Sequence, residues 1–175
     1  MAAKMPRGLV IVYTGDGKGK TTAALGTAMR AVGHGRRVAF VQFIKARSVG
    51  EHEAAARLAP HLEIFRMGRG FVGGQPTDEH LKAAREALAF VRQCLNDGSY
   101  DMVVADEIFS AVKLKLISAE DVESLLADRP AAVHLVLTGR GAWPGLIERA
   151  DLVTDMRLVK HPYEKGVRAQ EGIEF

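Results

Sequence analysis

Apolar runs recur along the chain, each closed by glycine or a polar turn and followed by residues of helical period. The first is Leu9-Val10-Ile11-Val12-Tyr13. An alanine-rich helical stretch follows over residues 20–32 and is stopped by Gly33 and Gly35. Further strands are predicted over residues 37–43, 62–67, 102–105, 133–137 and 152–158, with helices over 51–58, 118–127 and 145–150. The clearest helix follows Thr77, where Leu81, Ala84, Leu88, Val91 and Leu95 recur every three or four residues before Gly98. That spacing makes one apolar stripe, and Thr77 is a suitable N-cap. Ser118 and Asp121 form a capping pair three residues apart. Short strands alternating with helices predict an α/β fold: a mostly parallel sheet of roughly six strands, covered on both faces. Ligands bind such sheets beyond the C-terminal ends of the strands, so the loops after the first, third, fourth and fifth strands fall on the informative edge.

The loop after the first strand carries the most chemistry. It reads Thr14-Gly15-Asp16-Gly17-Lys18-Gly19-Lys20-Thr21-Thr22. Small residues let consecutive backbone N–H groups converge on an anion, the helix N-terminus adds partial positive charge, and Lys20 adds a full one. Thr21 would set a hydroxyl on a Mg²⁺ ion bridging nucleotide phosphates. This is the phosphate loop of a P-loop NTPase-like (RecA-like) fold. The usual pattern is G-x-x-x-x-G-K-[ST], but Thr14 stands at its first glycine. Counted from Gly15 the loop is one residue short, and Lys18 places a second cation inside it. Both departures imply a nucleotide held differently from the usual NTPase pose.

Val103-Val104-Ala105-Asp106-Glu107 has the second hallmark of such folds, small or apolar residues ending in an acid. Asp106 or Glu107 would hold Mg²⁺ directly or through water. Arg140, in Gly139-Arg140-Gly141 after the fifth strand, is placed to reach phosphate or substrate. None of the six histidines makes a metal-binding spacing, which leaves structural or solvated roles for all but His161.

Composition narrows the partners. A chain of 175 residues with 47% hydrophobic content can build one compact domain, here residues 1–175. The net charge of +3 suits a polyanionic small ligand, and no arginine-rich run or basic–aromatic alternation suggests nucleic acid. No apolar stretch approaches the roughly 20 residues that cross a membrane, and nothing resembles a signal peptide. The single cysteine, Cys94, can form no internal disulfide. These features predict a cytoplasmic protein. The residues alone favour a P-loop ATPase or small-molecule kinase cleaving the β–γ bond, with a non-catalytic ATP-binding regulatory module as the alternative.

Four segments carry a family resemblance: residues 13–24 around the loop, Val104-Ala105-Asp106-Glu107, Leu137-Thr138-Gly139-Arg140-Gly141, and the tail. The tail runs from Val159-Lys160-His161-Pro162 to Gly166-Val167-Arg168-Ala169-Gln170-Glu171-Gly172-Ile173-Glu174-Phe175. Together they resemble the P-loop type of ATP:corrinoid adenosyltransferase, whose loop is shortened in the same way. The resemblance covers nearly the whole chain. It implies alkyl transfer: a corrinoid reduced to Co(I) attacks the 5′ carbon of ATP, held in the reverse of the usual P-loop direction, and triphosphate leaves. By position, Gly17, Lys18, Gly19, Lys20, Thr21 and Thr22 would contact phosphates, with Gly15, Asp16 and Arg140 completing the ATP site. Glu107 with Thr21 would serve Mg²⁺ (or Mn²⁺), Asp106 being the other candidate. Lys20, Phe71 and Glu107 form the implied catalytic set, and Phe71 and His161 the implied corrinoid contacts. The resemblance further implies a homodimer and an electron donor such as a flavodoxin or flavin reductase.

Two local patterns refine it. The family's loop after the third strand commonly reads G-x-G-F-T-W, with aromatics beside the corrin that exclude its lower axial ligand. Here Gly68, Gly70 and Phe71 match, but Val72 and Gly73 replace the threonine and tryptophan. Asp78-Glu79-His80 begins the D-x-H-x-x-G pattern of corrinoid-carrying modules, but Ala83 stands where glycine is required.

Overall fold

The computed structural model describes residues 7–70 and 75–174. Six strands form one all-parallel sheet: β1 (Val10–Thr14), β2 (Val38–Gln42), β3 (Leu62–Arg66), β4 (Met102–Asp106), β5 (His134–Thr138) and β6 (Leu152–Asp155). Their order across the sheet is β3-β2-β4-β5-β1-β6. The helices are α1 (Lys20–Gly33), α2 (Gly50–Ala56), α3 (Asp78–Asn96), α4 (Ile108–Lys113), α5 (Ala119–Asp128) and α6 (Pro144–Arg149), and a 3₁₀ turn covers Pro162–Lys165.

Strand alternation divides the core into two layers. Along β4, Val103 and Ala105 join one layer with α3, α4 and α5, while Met102 and Val104 join the other with α1 and α2. Strands buried on both sides read as near-continuous apolar runs, which is why β1, β2, β4 and β5 stand out in the sequence, while β3 at the sheet edge is only half-buried. Phe109 in one layer and Phe40 in the other are almost wholly buried, and truncating either to Ala should cost about 3–5 kcal/mol. The stripe Ala84, Ala87, Val91, Cys94 and Leu95 seats α3 against the sheet. Burial pushes the Cys94 thiol up to about 11, so it behaves as a small hydrophobe.

Two elements depart from expectation. The strand predicted over 152–158 ends at Asp155, and all four of its residues are exposed. It lies at the sheet edge beside β1; the Met156 N–H still donates to the Thr14 carbonyl at 2.8 Å, and the Met156 carbonyl then accepts the Gly17 N–H of the phosphate loop at 2.6 Å. The C-terminal segment is thereby drawn across the phosphate loop. Helix α4 has no sequence-level start signal, because it follows β4 directly through Glu107, held in the left-handed region at φ 61°.

Candidate active site

The phosphate loop joins β1 to α1 at the C-terminal edge of the sheet. Thr14 is buried, and its hydroxyl accepts the Ala142 N–H at 3.2 Å, tying the loop to the one after β5. Gly17 is required here by close approach: a Cβ at that position would lie 2.6 Å from the Met156 carbonyl oxygen. Lys20 opens α1 and is only 6% exposed. Its ammonium donates to the Gly15 carbonyl at 2.9 Å and the Gly17 carbonyl at 2.6 Å, holding the loop closed on itself. Burial lowers its pKa and Arg140 adds to that, while Glu107, Asp16 and Asp106 oppose it.

Asp106, at the end of β4, is fully buried. Its Oδ1 accepts hydroxyl hydrogens from Thr21 at 2.8 Å and from Thr138 at 2.8 Å. Burial raises its pKa, and those two hydroxyls oppose the rise. Thr138 also accepts the Glu107 N–H at 2.9 Å, so one threonine fixes both acids. Glu107 lies beside the buried pair rather than in it: it accepts the Ser110 hydroxyl and lines the open space above the loop.

That space is a cavity of about 720 Å³. Its floor is the loop from Asp16 to Thr22, with Glu107 and Arg140 to one side and Lys45 and Glu51 to the other. The outer wall is the C-terminal segment, through Leu158, His161, Tyr163 and Ile173. Lys18, Lys20 and Arg140, with the loop at the N-terminus of α1, make it a receptor for a polyanion. Among the described residues no cluster of three or more His, Cys, Asp or Glu could hold a metal alone. A hard cation here would be shared between protein oxygens and bound phosphates, the usual arrangement for Mg²⁺.

The family model described as ATP:corrinoid adenosyltransferase BtuR/CobO/CobP matches residues 6–175. A corrinoid adenosyltransferase of Pseudomonas aeruginosa is 42% identical, over 99% of this chain and 86% of that protein. One from Escherichia coli (strain K12) is 43% identical, over 99% of this chain and 88% of that protein. The chain belongs to the ATP:corrinoid adenosyltransferase family. It is an enzyme that transfers the adenosyl group of ATP to a corrinoid. A solved KaiC-like protein of Pyrococcus horikoshii OT3 shares the fold, with a TM-score of 0.56 at 20% identity over 90% of this chain and 76% of that one.

In this adenosyltransferase most residues singled out in the sequence converge. Asp16, Gly17, Lys18, Gly19, Lys20, Thr21 and Thr22 all border the cavity, as do Glu107, Arg140 and His161. Gly15 and Asp106 lie just beneath, the first as an acceptor for Lys20 and the second as the anchor of Thr21. Phe71 and Gly73 lie outside the described residues. His161 accepts the Tyr163 N–H through Nδ1 at 3.2 Å, capping the 3₁₀ turn. Trp143 is structural: its indole N–H donates to Glu123 at 2.8 Å and its ring meets Phe109 edge-on at 5.9 Å.

Sequence reasoning missed Lys45 and Glu51, an ion pair on the cavity wall, together with Gln42 and His52 behind them. They belong to the loop after β2 and the start of α2. The parallel-sheet rule places that loop on the same edge as the four others, and this was the available signal. Gly68 in the loop after β3 packs against it: a Cβ there would lie 2.2 Å from the Ile44 carbonyl carbon, and Gly70 N–H donates to Ile44 O at 2.8 Å.

Proposed function

We propose that the cavity above the shortened loop binds ATP by its triphosphate and the corrinoid beside its 5′ carbon, and that the residues around it carry the transfer. The Co(I) electron pair forms the cobalt–carbon bond as the C5′–O5′ bond breaks, and that bond's electrons leave on the triphosphate oxygen. No general base is required, because no proton moves. Charge building on the triphosphate is stabilised by Lys20, Lys18, Arg140 and the loop N–H groups. The observation that carries this reading is the joint placement of these cations around a cavity of about 720 Å³ that exceeds the loop's own footprint.

The residues fit a divalent cation. Asp106 is a fully buried carboxylate that no ion pair reaches among the described residues, and Thr21 lies against it at 2.8 Å. Thr21 and Glu107 would hold Mg²⁺ or Mn²⁺, with Asp106 orienting the Thr21 hydroxyl. Bound there, the cation supplies positive charge to the departing triphosphate. Phe71 and His161 are assigned to the corrinoid side, Phe71 excluding the lower axial ligand so that Co(II) is more easily reduced. We assign residues 1–175 to one domain acting in the cytoplasm as a homodimer, with a flavodoxin or flavin reductase supplying the electron; the absence of any membrane-spanning helix among the described residues is compatible with this.

Phosphorus NMR of the products from Mg-ATP and reduced corrinoid, under anaerobic conditions, tests the reaction. Inorganic triphosphate is expected, and only when corrinoid is present. ADP and phosphate formed without corrinoid would overturn the assignment in favour of an ordinary P-loop ATPase or kinase.

A further inference from the structure

Behind the cavity wall, polar side chains form a relay whose donors and acceptors can be assigned in only one way. The Val49 N–H donates to His52 Nδ1 at 2.9 Å, so that nitrogen carries no proton and the ring hydrogen sits on Nε2. Nε2 lies 2.7 Å from Gln42 Oε1 and donates to it. The Gln42 amide nitrogen is therefore turned toward two carboxylates, Asp106 Oδ2 at 3.4 Å and Glu51 Oε1 at 3.5 Å. Glu51 in turn holds Lys45 on the cavity wall. Burial pushes the His52 pKa down; Glu51 opposes this, while Arg66 and Lys45 reinforce it, which suits a neutral ring.

The relay ends on Asp106, the buried carboxylate that anchors the Thr21 hydroxyl. Both hydroxyl partners of Asp106, Thr21 and Thr138, use Oδ1; Gln42 is the partner of Oδ2 among the described residues. Gln42 is fully buried, so an amide turned the other way would press its oxygen against a carboxylate with no water to relieve it. Fixing that amide is what His52 does, from a helix turn outside the phosphate loop.

We propose that Gln42 and His52 are positioning residues for the phosphate and cation end of the site: His52 sets the direction of the Gln42 amide, and the amide holds the Asp106 carboxylate that anchors Thr21. The inference rests on the assignment of Thr21 and Asp106 to the cation. A bland alternative exists, because the Val49 contact also makes His52 a cap for α2. Two substitutions separate the roles. His52→Asn keeps an acceptor near Nδ1 for the Val49 N–H but cannot reach Gln42. His52→Gln keeps a donor near Nε2.

The test is calorimetric binding of ATP, without corrinoid, across a Mg²⁺ titration, with thermal unfolding of each variant as a check on folding. His52→Asn is expected to raise the Mg²⁺ concentration needed for half-maximal ATP affinity roughly tenfold, a loss typical for removing a group behind a metal ligand. His52→Gln should restore most of it, and Gln42→Leu, similar in volume, should reproduce the Asn defect. Wild-type binding in His52→Asn, or equal losses in the Asn and Gln variants, would overturn the relay. ATP affinity that ignores Mg²⁺ in the unaltered protein would overturn both the relay and the cation assignment. Triphosphate release with corrinoid is a separate measurement and tests the transfer reaction on its own.

Discussion

Lys18 Nζ donates to Glu174 Oε1 at 2.6 Å and to the Ile173 carbonyl at 3.0 Å, closing the end of the chain over the phosphate loop. The second cation of the loop is thus held by a carboxylate from the tail. An incoming triphosphate must share that ammonium with Glu174 or displace it. The pair is partly exposed, so it contributes little to folding, but its anion sits where a substrate anion is expected. Glu174→Gln keeps the side chain's length and removes its charge. ATP affinity is expected to rise about two- to fivefold, with less salt dependence, as measured by calorimetry at several ionic strengths. Weaker binding would mean that the Glu174 carboxylate assists the ligand instead of competing with it.

Lys20 is the cation the loop is built around, bonded to the Gly15 and Gly17 carbonyls. Charge-assisted hydrogen bonds contribute about 1.5–3 kcal/mol each, so losing the ammonium should weaken ATP binding roughly a hundredfold or more. Lys20→Ala is expected to show no measurable triphosphate release under conditions that saturate the unaltered enzyme. Normal turnover in that variant would sink the assignment of the loop to phosphate.

The fold was legible because four strands, β1, β2, β4 and β5, are largely buried, β3 still carries apolar residues at the sheet edge, and each is followed by a turn signal. The phosphate loop, Asp106, Glu107 and Arg140 were legible because their chemistry is local in sequence. What escaped was long-range. That Met156 and Glu174 would reach the loop depends on β6 lying beside β1 at the sheet edge, which no local period reveals. Gln42 read as one more residue of a buried strand, and its polarity acquires meaning only when β4 brings Asp106 opposite it. Helix α4 was missed because Glu107 starts it from a left-handed conformation and not from a polar cap.

Phe71 is the residue assigned to the corrin face, in a loop where Val72 and Gly73 stand in place of threonine and tryptophan. If it excludes the lower axial ligand, its role lies in making Co(II) reducible and not in the transfer itself. Phe71→Ala should therefore slow the reaction from cob(II)alamin far more than from chemically pre-reduced cob(I)alamin. Equal losses in the two assays would show that Phe71 does not govern axial ligation.

His134 gives a prediction about stability. Its Nδ1 accepts the Leu9 N–H at 3.1 Å, which requires an unprotonated nitrogen there. Burial lowers its pKa, Arg129 and Arg36 lower it further, and Asp101 only partly opposes them. The folded state therefore resists a proton that the unfolded chain accepts near its ordinary pKa of about 6.5. Above that pH the ring is neutral in both states and contributes no pH dependence. As pH falls below it the unfolded state binds the proton first, so stability declines until the folded-state pKa is passed. His52 has the same sign, and the lowered carboxyl of Asp101 adds a further loss at more acid pH. His134→Asn keeps an acceptor for Leu9 and cannot titrate. Urea unfolding from pH 7.5 to 5.5 is expected to show a shallower decline for this variant than for the unaltered protein. Parallel curves would mean that His134 is protonated as readily in the fold as outside it, and that its bond to Leu9 does not depend on the neutral ring.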